Sequence, residues 1–98
     1  MDKATVIEKL RAHESELKDA GIVHLRLFGS VARGEADEKS DVDLMADFDE
    51  SKNLSLLGVV HLQNHLSDLL GTHVDLSQAN RLRDHVRVEA VRDAISAF

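Results

Sequence analysis

From the N-terminus, apolar residues recur at helical spacing over residues 3–20. Val6, Ile7, Leu10, Leu17 and Ala20 gather near one face, while Glu8, Lys9, Glu16 and Lys18 fall mostly elsewhere. The pattern predicts an amphipathic helix stopped at Gly21 as its C′ residue. A short, mostly apolar run over 22–28 predicts a first strand, followed by a Gly29-Ser30 turn and a short helix from 30 to about 35. A charged loop over 36–40 leads to a second strand over 41–48 and a polar connector over 49–53. Over 54–70, Leu56, Val59, Val60, Leu62, Leu66, Leu69 and Leu70 return at helical spacing, and Gly71 closes the run. Gly58 inside this helix costs ~1 kcal/mol relative to Ala, so either the helix starts late or something approaches closely there. A third strand is expected over 72–77, with Val74 and Leu76 pointing one way and His73 and Asp75 the other. A closing helix is expected over 80–98, with Leu82, Val86, Ala90, Ala94 and Ala97 on one stripe.

The order helix, strand, short helix, strand, helix, strand, helix predicts an α/β fold, a small sheet covered by helices. No proline, repeat or low-complexity tract marks a linker, so residues 1–98 are expected to form one domain. With 43% hydrophobic and 31% charged residues, the chain has the composition of a folded domain. The absence of cysteine excludes disulfides and thiolate chemistry. No apolar run approaches the ~20 residues that span a bilayer, and no signal-peptide core is visible, so a cytoplasmic location without membrane attachment is expected. The formal charge of −6 argues against direct, sequence-independent nucleic-acid binding, although Arg81, Arg83, Arg87 and Arg92 cluster near the C-terminus. Only three aromatic residues are present, all Phe, which leaves little for base stacking.

Candidate chemistry concentrates in residues 27–49, LFGSVARGEADEKSDVDLMADFD. Asp41 and Asp43 are separated only by Val42, so on a strand their carboxylates lie side by side while Val42, Leu44, Ala46 and Phe48 line the other face. Like charges held together call for a cation or a proton. Magnesium is suited, because it binds through one or two carboxylates and the phosphates of a substrate. Gly29 permits close backbone approach, and Ser30 is a good N-cap, so a short helix can begin there with its N–H groups aimed at an anion. Taken singly, each feature has a plainer reading: Asp-x-Asp as solvated surface, Ser30 as a cap only, Arg33 as a surface residue. The acidic cluster lacks the central Gly and closing Glu of a calcium loop. His61 and His65 have a zinc-compatible spacing, but Asn64 and Asp68 place them on a solvated face.

Gly29-Ser30, ten intervening residues and Asp41-Val42-Asp43 together resemble the signature of the DNA polymerase β nucleotidyltransferase superfamily. With Arg33-Gly34-Glu35 in the gap and Ser40 before the first Asp, the stretch is most similar to the minimal nucleotidyltransferase (MNT) proteins. The resemblance implies a mixed sheet of three to four strands in a polymerase-β-like nucleotidyltransferase fold. It also implies a third acidic ligand on a later strand, at the position of Asp75. Asp41, Asp43 and Asp75 would then hold two Mg2+ ions, while Gly29, Ser30, Arg33 and Ser40 would face the phosphates of ATP. The implied activity is transfer of AMP to a tyrosine hydroxyl of a partner HEPN-domain ribonuclease toxin, with the chain acting as its antitoxin in a hetero-oligomer. Two other readings stay open at this stage: an antitoxin that works by binding alone, and a nucleotidyltransferase acting on a small molecule.

Overall fold

The computed structural model describes residues 2–34, 41–78 and 94–98. Helix α1 (Lys3–Ala12) is capped by the Asp2 carboxylate, which accepts from Thr5 N at 2.9 Å. The single expected helix is broken at His13, after which α2 (Glu14–Asp19) resumes. Val6, Leu10 and Leu17 are buried across the break, whereas Ala20, expected with them, is exposed.

Strand β1 (Ile22–Phe28) lies at the centre with β2 (Val42–Phe48), flanked by β3 (Val74–Gln78) and β4 (Ile95–Ser96) in the sheet order β3-β2-β1-β4. β1 does not alternate strictly: Ile22, Leu25 and Leu27 are buried while Val23 and His24 are exposed. The pairing with β2 slips between Ile22 and His24, and this bulge brings Leu25 back to the core face. Between β1 and β2 lies the short helix α3 (Gly29–Arg33), anchored by buried Val31 and Ala32. β1 and β2 are antiparallel, so the chain leaves β1 at Phe28 directly beside Asp43 at the start of β2.

After β2, a 3-10 turn at Glu50–Lys52 is capped by Asp49, and α4 (Leu56–Leu70) begins with Ser55 as N-cap. Ser55 Oγ accepts from Gly58 N at 3.2 Å, so Gly58 lies in the first turn, where the Leu54 side chain also crowds it. Both explanations weighed for that glycine therefore hold. The burying stripe of α4 is Leu62, Leu66 and Leu70; Leu56 and Val60, expected on it, are exposed. α4 is the crossover that returns the chain to β3 (Val74–Gln78), parallel to β2. The outward amides of β3 are occupied by α4 side chains: Val74 N donates to Ser67 Oγ and Leu76 N to Gln63 Oε1, both at 3.0 Å. This closes an edge that would otherwise template pairing with another chain.

The expectation of a closing helix fails where the structure describes it. Ile95–Ser96 form β4, antiparallel to β1, and Ala97 N donates to Leu25 O at 2.8 Å. The free edge of β1 offers unpaired backbone groups that a strand satisfies and a helix cannot. Arg11 from α1 reinforces the join, its Nε donating to Ala97 O at 2.9 Å. The expected helical stripe over 80–93 lies outside the described residues, as does the expected loop over 36–40.

The α/β expectation and the mixed, four-stranded sheet are thus observed. One core runs from Val6 and Leu10 through Leu25, Leu27 and Leu44 to Leu66 and Val74. No described helix is long and apolar enough to cross a membrane. Gln63→Ala should leave the Leu76 amide without its partner, at a cost of about 1–3 kcal/mol. Urea unfolding and faster hydrogen exchange at Leu76 are the measurements, and unchanged exchange there would contradict this part of the fold.

Candidate active site

The parallel register of β2 and β3 sets Val42 opposite Val74, Asp43 opposite Asp75 and Leu44 opposite Leu76. Val42, Leu44, Val74 and Leu76 are buried, so the two Asp side chains are directed to the other face of the sheet. Asp75 is therefore the strand neighbour of Asp43, where the alternation of 72–77 predicts it. Asp41 precedes β2 and is held beside the third strand by Val42 N, which donates to His73 O at 3.0 Å. Its Oδ1 stands 3.5 Å from His73 Nδ1.

The carboxylates act on one another. Burial, then the charge of Asp75, then that of Asp41 push the Asp43 carboxyl above its ordinary range, and only partly against this works the nearby Arg33 cation. Arg33 lies in the last turn of α3, near enough for its charge to act on Asp43.

Gly29 is the closest point of the turn. It has φ +77°, a conformation that L side chains rarely adopt, and a Cβ placed on it would fall on the Asp43 carboxylate, 3.1 Å from Cγ. The glycine is thus required both by the turn and by the approach of backbone to carboxylate. Ser30 is corrected in detail: the N-cap of α3 is Phe28, with no side-chain cap bond, and Ser30 falls inside the first turn. The positive φ of Gly29 starts the helix straight off the strand, one residue earlier than expected. At the other end α3 closes on Gly34, before the expected limit near 35. Ser40 lies outside the described residues.

Among the described residues, no three His, Asp or Glu side chains are drawn together tightly enough to hold an ion as they stand. The carboxylates share a face and a field rather than a closed cage. Their chemistry nonetheless fits a hard divalent cation, which takes oxygen donors and would offset the burial and like charges that raise Asp43. His61 and His65 are both exposed, and His65 Nε2 is engaged with Glu16 at 2.7 Å, which ties α4 to α2. His73 is the site neighbour that the motif did not identify. Its place on the same strand face as Asp75 was the available signal.

Comparison with known proteins adds to this geometry. Residues 7–97 match the model of the nucleotidyltransferase domain family. The chain belongs to that family. It is 39% identical over 87 residues to the protein adenylyltransferase MntA of Thermococcus cleftensis, covering 88% of this chain and 86% of the relative. A Methanocaldococcus jannaschii protein named as a candidate adenylyltransferase, MJ0126, is 42% identical over 78 residues, covering 79% of this chain and 78% of its own. A solved structure described as a minimal nucleotidyltransferase superposes with a TM-score of 0.81 at 40% identity, covering 97% of this chain and 95% of that one. A toxin–antitoxin structure with AMP-PNP shares the fold at a TM-score of 0.75 and 20% identity, over 92% of this chain and 72% of that one. This nucleotidyltransferase therefore has the minimal fold that the Gly29-Ser30 and Asp41-Val42-Asp43 pattern implied.

Two outcomes follow from the site. Gly29→Ala should destabilise the domain by at least ~1–2 kcal/mol from the backbone conformation alone, read by urea unfolding; wild-type stability would contradict the close approach. Because burial and the neighbouring carboxylates raise Asp43, the folded chain holds that proton more tightly than the unfolded chain. Its contribution is most favourable at low pH and is lost as the pH rises through the folded-state value. Without divalent cations, Asp43→Asn should therefore raise the thermal midpoint at neutral pH, by an increment that shrinks towards acidic pH. A lowered midpoint at pH 7 would contradict the crowding of charge.

Proposed function

We propose that this nucleotidyltransferase is an antitoxin that transfers AMP from ATP to a tyrosine hydroxyl of a partner HEPN-domain ribonuclease toxin. The observation that carries the reading is the in-register pair of Asp43 and Asp75, with Asp41 beside them and Gly29 pressed against the first. Its relatives' naming as protein adenylyltransferases supports a protein acceptor, and the fold shared with toxin–antitoxin complexes supports a toxin as that protein.

Asp41, Asp43 and Asp75 would hold two Mg2+ ions. Bound there, the ions would neutralise triphosphate charge and make the acceptor hydroxyl easier to deprotonate. The chain's own residues then have separate tasks. Gly29, lacking a Cβ, lets the turn lie against the Asp43 carboxylate, so that a triphosphate held by the turn is next to the carboxylates. The first-turn N–H groups of α3 and the Ser30 hydroxyl would donate to the β- and γ-phosphates, with Ser40 near them. Arg33 would add a charge-assisted donor. Asp75 would accept the hydroxyl proton as the oxygen attacks the α-phosphorus. The bond from the α-phosphorus to the bridging oxygen breaks, pyrophosphate leaves, and AMP remains esterified to the tyrosine.

The toxin would bring its own binding surface, in a cytoplasmic hetero-oligomer with this domain. Incubation with the protein encoded beside it, Mg2+ and ATP labelled at the α-phosphate is the test. Covalent label on the partner's tyrosine, abolished by Asp43→Asn, is expected. Neutralisation without label, equally strong in Asp43→Asn, would instead establish an antitoxin that works by binding alone. Label on a soluble hydroxyl compound with no protein acceptor would establish a small-molecule enzyme.

A further inference from the structure

The β2–β3 register continues beyond the strands. Two residues before the Asp43–Asp75 pair, and so on the same face, Asp41 and His73 stand next to each other. One cross-strand pair joins like charges; the other joins a carboxylate to an imidazole. Asp41 precedes β2, and its side chain is 59% exposed. His73 stands beside it, with Nδ1 3.5 Å from Asp41 Oδ1. The same residue fixes the adjoining backbone, because its carbonyl accepts from Val42 N at 3.0 Å.

We propose that His73 is a positioning residue for the carboxylate site: its imidazole, beside the Asp41 carboxylate, keeps Asp41 close to Asp43 and Asp75, so that the three can share the divalent cations. The inference rests on the proposed role of these carboxylates in cation binding. Removing the ring leaves the main-chain bond to Val42 in place, so the side chain's contribution is separable from the fold. Asn is the conservative replacement, because its amide nitrogen can donate from nearly the position of Nδ1.

The experiment uses the full chain and Mn2+ alone as probe, with free Mn2+ followed by electron paramagnetic resonance. His73→Ala and His73→Asn are compared with wild type, and thermal midpoints in EDTA show that both variants fold. His73→Ala should weaken Mn2+ binding ~10-fold, the lower end for loss of a group that orients a metal ligand. His73→Asn should restore most of it. In the transfer reaction the Ala variant should need correspondingly more Mg2+, with kcat at saturating Mg2+ near that of wild type. Mn2+ binding by His73→Ala equal to wild type would overturn the proposal, as would an Asn variant no better than Ala. Wild type that binds Mn2+ yet labels no acceptor would overturn the adenylyltransferase reading while leaving the role of His73 intact.

Discussion

The site depends on the parallel pairing of β2 and β3 in one particular register. A shift of one residue would turn Asp75 to the core face and Val74 or Leu76 to solvent, since side chains alternate along a strand. Burial holds the register. Val42, Leu44, Val74 and Leu76 are each at most 8% exposed, and burying such side chains contributes about 1.5–3 kcal/mol apiece as an upper estimate. The repulsion between two partly solvated carboxylates on neighbouring strands is on the order of 1 kcal/mol. The apolar face therefore wins, and it keeps negative charges together on the opposite face.

The antiparallel neighbour completes the arrangement. Because β1 runs against β2, its last residue meets Asp43, and the turn that follows lies on the carboxylate. That topology gives a physical meaning to the ten-residue interval between Gly29-Ser30 and Asp41. After β1 the chain forms α3 with Val31 and Ala32 in the core, and β2 begins beside the end of β1. α4 then carries the chain across to the far side of β2 and stabilises β3 through Ser67 and Gln63. In this way core packing, strand order and site geometry arise from the same few pairings.

Much of this was legible in the residues themselves. The alternation around Asp43 and Asp75 predicted which face each carboxylate takes, and the recurrence of Leu56, Val59, Val60, Leu62, Leu66, Leu69 and Leu70 predicted helix α4, of which Leu62, Leu66 and Leu70 are buried. The failures have local causes. The break at His13 and the bulge before His24 are chain geometries without an apolar signature, so periodicity ran through both. Ser30 had the chemistry of a cap, but the conformation of Gly29 shifted the helix by one residue. Ile95 and Ala97 suited a helical stripe equally well; the unpaired edge of β1, a non-local feature, selected a strand. The exposed Leu56 and Leu57 show that apolar spacing identifies a helix without fixing where its cover ends.

The central claim is that carboxylates from two parallel strands form one cation-binding centre facing the Gly29 turn. The most direct measurement is anomalous diffraction from crystals grown with Mn2+ and a non-hydrolysable ATP analogue. Anomalous peaks at ~2.1 Å from carboxylate oxygens of Asp43 and its strand neighbour Asp75, with the triphosphate against Gly29 and Ser30, are the expected result. Peaks elsewhere on the surface, or a triphosphate bound away from that turn with the Asp43–Asp75 face empty, would contradict it.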